Sequence, residues 1–208
     1  MGMVNNFDLG VFIKSFGSSI YIETGTGTGK CLSHALKYNF EKNYSIDLDE
    51  GLIKEAQKIF KDYNVEFIND FSSKALDELI PTLPKDKNIF FWLDAHYPEA
   101  DFRGLTHMQS VEKYTTDECF PLLKEIRIIK EHRDISKDCF ILDDWMNYDR
   151  KLEYATPILT EKTTCPQHKE PILSEFRGTH NCKALFSNQG YLIALPKQFE
   201  TSPCYIYF

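Results

Sequence analysis

The stretch YIETGTGTGKCLSHAL, residues 21–36, joins a short apolar run to a helix-like segment through glycines at alternate positions. Gly25, Gly27 and Gly29 let the backbone approach a ligand closely, and the N-terminus of the following helix is electropositive. The stretch therefore predicts a strand–loop–helix unit in which the loop binds a charged part of a ligand.

Two common glycine motifs do not fit this loop. A P-loop needs G-x-x-x-x-G-K-[ST], but Thr24 replaces its first glycine and Cys31 replaces the hydroxyl that binds Mg²⁺. The dinucleotide fingerprint G-x-G-x-x-G fails as well, because the glycines here are spaced G-x-G-x-G. Glu23, just upstream, would repel a pyrophosphate but attract a ligand that carries an ammonium and a sulfonium. The loop therefore favours a cationic ligand.

Outward from the loop, strand-like apolar runs alternate with helix-like segments. Strands are predicted at residues 19–25, 43–49, 65–70, 88–96 and 139–145, and helices at 29–38, 50–63, 72–80 and 117–132. CKALFS and YLIALPK, separated by the turn NQG, predict an antiparallel hairpin near the C-terminus. The pattern indicates an α/β fold: a doubly wound, Rossmann-like sheet, mostly parallel with an antiparallel C-terminal strand. Phe7, Val11, Phe12 and Phe16 predict a leading helix.

Composition limits the class of protein. A length of 208 residues predicts a single domain over residues 1–208. The net charge of −7 argues against sequence-independent binding of nucleic acid. No apolar run reaches membrane-spanning length, no export signal is visible, and the six cysteines are expected to be reduced thiols. We expect a cytoplasmic protein with no nucleic-acid or membrane partner, and a homo-oligomer remains open.

Polar residues follow the second and third predicted strands, where open α/β sheets bind ligands. Asp47 is expected to hold a ribose diol, with Asp49 as the alternative unless it only caps the next helix. Asn69 and Asp70 are expected to meet an adenine edge. These positions match a ligand that contains adenosine.

The segments IETGTGTG, SIDLDE and IND, in this order at successive strand ends, resemble the class I S-adenosylmethionine-dependent methyltransferases. That fold is a parallel sheet finished by an antiparallel last strand, and the resemblance covers residues 19–197. Thr24 departs from the glycine or alanine of the family. The resemblance implies that S-adenosylmethionine is bound by the following residues: Glu23, Thr24, Gly25, Gly27, Gly29, Asp47, Asp49, Asn69, Asp70 and Asp94.

FFWLDAHY and FILDDW place Asp94 and the pair Asp143 and Asp144 at the ends of two buried strands. Carboxylates this close repel one another unless a cation neutralises them, and oxygen ligands favour Mg²⁺ or a similar divalent ion. Helix capping or pairing with a lysine is the alternative. The pattern resembles the metal-dependent O-methyltransferases of the catechol and bacterial sugar types, which implies that Asp94, Asp143 and Asp144 bind the metal.

His96 follows Asp94 by two residues and is the candidate general base, since histidine titrates near neutral pH. A substrate-orienting role or a further metal ligand are the alternatives, and Asp94 shares the catalytic assignment. The resemblance implies methyl transfer to a hydroxyl of a small molecule, such as a sugar or glycan precursor. An NAD-type Rossmann oxidoreductase and a non-catalytic S-adenosylmethionine-binding module are the alternative functions.

Two further regions carry candidate residues. The polar stretch of residues 97–118 is long for a connection and predicts a lid-like insertion. Arg103, His107 and Glu118 within it are candidate substrate contacts, unless they only decorate the surface. A loosely spaced C-x2-H…H-x-C pattern is a weak candidate zinc site, with a buried thiol and substrate-binding histidines favoured instead. Its members are Cys165, His168, His180 and Cys182.

Overall fold

The computed structural model describes residues 3–100, 102–149, 169–186 and 190–197. The strands are β1 Ser18–Thr24, β2 Lys42–Asp47, β3 Val65–Asn69, β4 Asn88–Leu93, β5 Cys139–Leu142, β6 His180–Leu185 and β7 Tyr191–Pro196. The helices are α1 Leu9–Phe16, α2 Lys30–Ala35, α3 Glu50–Ile59, α4 Ser72–Leu79, α5 His107–Lys113, α6 Thr116–Cys119, α7 Leu122–His132 and α8 Lys169–Phe176. None of these helices is both long enough and apolar enough to cross a membrane.

The seven described strands form one sheet in the order β3-β2-β1-β4-β5-β7-β6. β1 lies between β2 and β4, and β3 and β5 continue the sheet outward, all in parallel. β7 runs antiparallel to both β5 and β6. The predicted doubly wound sheet with an antiparallel C-terminal hairpin is therefore confirmed.

β4 lies at the centre of the sheet and is buried on both faces. Phe90, Phe91 and Trp92 are all 0% exposed. Because successive side chains alternate across a strand, Phe90 and Trp92 pack into the core that contains α1, whereas Phe91 packs into the core that contains α4, α7 and α8. With both faces covered, the carboxyl edge of the parallel strands is where a ligand can enter.

The element boundaries differ from the sequence prediction at functionally important places. β4 ends at Leu93 and β5 at Leu142, three residues earlier than predicted, so the acidic residues that follow belong to loops. The helix predicted over residues 117–132 is divided into α6 and α7, because Pro121 has no amide hydrogen with which to continue α6. The leading helix is confirmed as α1. Asp8 caps its N-terminus, because the Asp8 carboxylate accepts a hydrogen bond from the Gly10 amide.

A buried ion pair lies at the opposite edge of the sheet, where β4 and β5 begin. The Asp138 carboxylate accepts from the Ile89 amide at 2.8 Å and from Arg133 Nε at 2.8 Å. The side chains of Asp138 and Arg133 are only 1% and 5% exposed. Removing one member of such a pair leaves the other charge buried without compensation.

Candidate active site

The glycine loop between β1 and α2 has a backbone geometry that favours glycine at three positions. Gly25, Gly27 and Gly29 have φ values of 84°, 50° and 74°, in the left-handed region. A Cβ on Gly25 would lie 2.9 Å from the backbone oxygen of Asp94, and one on Gly29 would lie 2.7 Å from the Phe60 ring. The loop therefore packs tightly against the residue after β4 and against the end of α3.

The end of β2 holds the loop in place and faces the same space. Asp47 accepts from the Gly27 amide at 2.9 Å and from the Asp49 amide at 2.8 Å. Asp49 caps α3 by accepting from the Leu52 amide at 2.9 Å, and its carboxylate also pairs with Arg103 from the insertion. Burial raises the pKa of Asp47, and these amide hydrogen bonds offset part of the rise.

A continuous pocket of about 650 Å³ runs along the carboxyl ends of β1, β2 and β4. Among the residues predicted for cofactor, metal or catalysis, these line the pocket: Gly25, Gly27, Asp47, Asp49, Asp70, Asp94, His96 and Asp144. The other predicted residues in the described part of the chain are not among the lining residues: Glu23, Thr24, Gly29, Asn69 and Asp143.

Several predicted residues outside the lining contact the segments that form it. The Thr24 hydroxyl accepts from the Asp94 amide at 3.2 Å, and the Asn69 side-chain amide donates to the backbone oxygen of Asp47 at 2.9 Å. Glu23 is 0% exposed and bonds to Tyr21 and Ser45. In this structure Glu23 and Thr24 are buried, whereas Asn69 is exposed. The ligand contacts expected for these three residues remain predictions.

Asp94, His96 and Asp144 come together at one end of the pocket, with one potential ligand atom of each within 4.8 Å of the others. His96 Nε2 lies 2.9 Å from Asp144 Oδ2, and His96 Nδ1 lies 3.6 Å from Asp94 Oδ1. Asp143, predicted as a third carboxylate ligand, is not in this group. Its Oδ1 accepts from the Asp144 amide at 2.7 Å, and its Oδ2 is buried without a hydrogen-bond partner.

The tautomer of His96 can be derived from its neighbours. Nδ1 lies 2.9 Å from the backbone oxygen of Asp94, which only accepts, so Nδ1 carries the proton. In a neutral ring Nε2 is then a bare lone pair that faces the Asp144 carboxylate. Nε2 and Asp144 Oδ2 are then two hydrogen-bond acceptors 2.9 Å apart, and they need a cation between them. A proton on Nε2 or a metal ion meets this requirement.

The electrostatics of the group lead to the same conclusion. Burial and the neighbouring Asp143 carboxylate raise the pKa of Asp94 well above its ordinary value. Burial acts to raise the pKa of Asp144 too, but the His96 ring overcomes this effect and the pKa of Asp144 is lowered. Three carboxyl groups with one imidazole form a site short of positive charge. The donor set of two carboxylates and an imidazole fits a divalent metal ion.

The insertion contributes residues to the pocket lining. Among them are all three candidate substrate contacts that were named from the sequence. Arg103, His107 and Glu118 line the pocket. His107 stacks on Tyr97 with the ring centroids 4.4 Å apart, and Glu118 accepts from the Thr115 amide at the start of α6. Phe102 and Thr26 are among the lining residues that had no functional interpretation in the sequence, because Phe102 carries no charge and Thr26 occupies a variable position between two glycines.

The candidate zinc site lies partly outside the described residues, which exclude Cys165 and His168. His180 uses both ring nitrogens: Nδ1 lies 2.8 Å from the Thr179 hydroxyl and Nε2 lies 2.9 Å from the Asp138 backbone oxygen. Burial lowers the pKa of His180. Both ring nitrogens of His180 are therefore engaged by oxygen atoms of the protein.

Similar solved structures share this fold. A putative caffeoyl-CoA O-methyltransferase from Staphylococcus aureus is 12% identical with a TM-score of 0.57, over 89% of this chain and 79% of that one. The O-methyltransferase TomG from Streptomyces achromogenes, in complex with S-adenosylmethionine, is 10% identical with a TM-score of 0.55, over 90% and 77%. The sugar N-methyltransferase KedS8 from Streptoalloteichus sp. is 10% identical with a TM-score of 0.51, over 89% and 83%.

No protein-family model and no curated protein sequence matches the chain. At identities this low, the structural similarity establishes the fold alone. The reaction has to be argued from the site. The chain has the class I S-adenosylmethionine-dependent methyltransferase fold, as the resemblance of its glycine loop and strand ends implied.

Proposed function

We propose that this protein transfers a methyl group from S-adenosylmethionine to a hydroxyl group of a small molecule, such as a sugar or glycan precursor, with the assistance of a divalent cation. The observation that carries the proposal is the continuous pocket that connects the glycine loop to the group of Asp94, His96 and Asp144. Its volume of about 650 Å³ suits a small-molecule site. The O-methyltransferase descriptions of two similar structures support the reaction.

The cofactor end of the pocket fits S-adenosylmethionine, which supplies an electrophilic methyl group on a sulfonium. Gly25 and Gly27 line the pocket and carry no side chain, so the loop backbone can approach the amino-acid end of the cofactor closely. Asp47 and Asp49 at the β2 end are assigned to the ribose hydroxyls, and Asp70 after β3 to the adenine edge. Acidic groups dominate this lining, which suits a cationic ligand and disfavours the pyrophosphate of NAD.

The other end fits a divalent cation bound by Asp94, His96 and Asp144. Such a cation lowers the pKa of a coordinated hydroxyl and orients it. Mg²⁺ is the ion expected from carboxylates alone, and the imidazole also admits Mn²⁺ or Zn²⁺. Asp143 orients the Asp144 backbone through its hydrogen bond to the Asp144 amide.

His96 is the candidate proton acceptor in the state in which Nε2 holds neither a metal ion nor a proton. The backbone oxygen of Asp94 fixes its tautomer and leaves Nε2 as the basic atom. Asp144, 2.9 Å away, stabilises the imidazolium that forms when Nε2 takes the proton of the acceptor hydroxyl. Because one nitrogen cannot hold a metal and a proton together, titration of the protein with metal decides between the two roles.

The insertion of residues 97–118 is assigned the role of a lid within a single domain. Phe102 lies over the glycine loop, where a Cβ on Gly27 would meet its ring at 3.2 Å. Arg103 reaches across to the Asp49 carboxylate. These two contacts join the insertion to the cofactor end, so that the lid would exclude water from the transfer.

Calorimetry with S-adenosylhomocysteine and with NAD tests the cofactor. S-adenosylhomocysteine is expected to bind with a stoichiometry of one, and NAD is expected not to compete with it. Thermal unfolding with Mg²⁺, Mn²⁺ and Zn²⁺ tests the metal. The ions should stabilise the wild type and the surface control Asp62→Asn, but not Asp144→Asn. Absence of S-adenosylhomocysteine binding at millimolar concentration would refute the function, and an undiminished metal effect in Asp144→Asn would refute the metal site.

A further inference from the structure

Glu23 lies beneath the glycine loop and is connected to the pocket by hydroxyl groups. The Tyr21 hydroxyl donates to one carboxylate oxygen at 2.8 Å, and the Ser45 hydroxyl donates to the other at 2.6 Å. The Ser45 oxygen also lies 2.6 Å from the hydroxyl oxygen of Thr26, and Thr26 lines the pocket. Glu23 and Ser45 are 0% exposed and Thr26 is 3% exposed, so bulk water does not interrupt the chain.

The charge on Glu23 determines the direction of these hydrogen bonds. An ionised carboxylate only accepts, so Ser45 donates its one proton to Glu23 and Thr26 must donate to Ser45. Thr26 then offers oxygen lone pairs to the pocket. A protonated Glu23 can donate to Ser45, which lets Ser45 donate to Thr26 and turns the Thr26 proton toward the pocket. The Thr26 hydroxyl therefore offers the pocket an acceptor when Glu23 is ionised and a donor when Glu23 is protonated.

We propose that Glu23, Ser45 and Thr26 form a relay that couples the ionisation of Glu23 to binding of the cationic cofactor, with Glu23 acting as a positioning residue that does not touch the ligand. The inference rests on the proposed function, because the ammonium group of the cofactor is what needs an acceptor at Thr26. The negative charge beneath the loop favours the same ligand.

The groups that face Glu23 do not neutralise it. Tyr21 comes from the same strand, Cys31 from α2 and Asp47 from β2, and Asp94 after β4 acts on Tyr21 and Cys31. Burial raises the pKa of the Cys31 thiol and of the Tyr21 hydroxyl, so both stay neutral near pH 7. Burial also raises the pKa of Glu23 to about 7, while its two hydroxyl partners lower it in part and Asp47 raises it.

Linkage converts this arrangement into a measurable pH dependence. If the cofactor binds only the ionised form, one pH unit below 7 leaves about a tenth of the protein competent, and one unit above leaves most of it competent. Affinity is therefore expected to be about tenfold weaker at pH 6 than at pH 8.

Calorimetric titration with S-adenosylhomocysteine, which carries the same ammonium group, tests the relay between pH 6 and pH 8. The wild type should show the tenfold change. Ser45→Ala and Thr26→Val should bind more weakly at pH 8 and vary by less than about threefold over the same range. Thr26→Ser keeps the hydroxyl and should restore the profile. Ser18→Ala, which removes a buried hydroxyl at the far end of β1, should retain the wild-type profile.

The outcomes separate the relay from the proposed function. A flat wild-type profile, or a full tenfold change in both Ser45→Ala and Thr26→Val, would overturn the relay while the cofactor assignment stands. Absence of binding by the wild type at every pH would overturn the proposed function and the relay with it. Thr26→Val leaves Glu23 with both hydroxyl partners, so it carries the test even if Ser45→Ala does not fold.

Discussion

Glu125 is a buried carboxyl group whose replacement gives a quantitative test of the described core. It lies on α7, is 0% exposed, and neither oxygen makes a hydrogen bond of good geometry. Burial raises its pKa from 4.5 to about 7, although the nearby hydroxyls of Ser72 and Thr24 lower it in part. The amide of Glu125→Gln has nearly the same shape but does not titrate. Comparing the two proteins therefore isolates the cost of ionising this position.

The sign of the pH dependence of stability follows from the direction in which burial shifts the pKa of Glu125. A carboxyl group whose pKa is higher in the folded state favours folding below the unfolded pKa, and this contribution is lost as pH rises through the folded pKa. With pKa values of 4.5 unfolded and about 7 folded, the wild type loses about 2.5 kcal/mol between pH 5 and pH 8 from this group. The stability of Glu125→Gln relative to the wild type should rise by that amount.

Urea unfolding followed by circular dichroism at pH 5, 6, 7 and 8 measures this difference. Other titrating groups contribute equally to both proteins and cancel. Glu131→Gln, at an exposed position on the same helix, is the matched control. Its free energy of unfolding should differ from that of the wild type by the same amount at every pH. A difference between Glu125→Gln and wild type that does not change with pH would show that Glu125 is not buried as described.

Three further perturbations follow from the geometry. Gly25→Ala should weaken binding of S-adenosylhomocysteine at least tenfold in calorimetry. Gly104 has a similar φ but open space around it, so Gly104→Ala should not weaken binding. Equal effects of the two variants would contradict the tight packing of the loop. Arg133→Ala should lower the free energy of unfolding in urea by about 3–5 kcal/mol, because Asp138 stays buried without its partner; a loss below about 1 kcal/mol would contradict this. Arg103→Ala should speed dissociation of S-adenosylhomocysteine in stopped-flow fluorescence, and an unchanged rate would remove the lid assignment.

The architecture could be predicted because it follows from periodicity. β4 is a continuous apolar run, since both faces of a central parallel strand are buried, and the NQG turn leaves few alternatives to an antiparallel hairpin. The boundaries were less predictable. The runs of β4 and β5 continue into charged residues without a turn residue, so the sequence did not show that the strands end at Leu93 and Leu142.

The site could be predicted to the level of the strand end but not to the direction of each side chain. A residue after a parallel strand reaches the carboxyl edge whatever its orientation, which is why Asp94 and Asp144 were recognised. Glu23 instead lies within β1, where hydrogen bonds from Tyr21 and Ser45 hold its carboxylate inside. Ser45 itself could have been noticed, because it is a polar residue at a buried position of an apolar strand.

Backbone strain supports the location of the site independently of sequence motifs. In the described part of the chain, the non-glycine residues with positive φ are Tyr97, Glu99 and Asp144, at 39°, 63° and 51°. All three line the pocket. Such conformations cost on the order of 1–3 kcal/mol each and persist where the surrounding structure requires them. For Asp144 the reason is visible: successive residues of an extended chain face opposite ways, and the left-handed turn brings Asp144 to His96 while Asp143 stays inside. A chain that only needed to fold has no reason to concentrate its strain around one pocket.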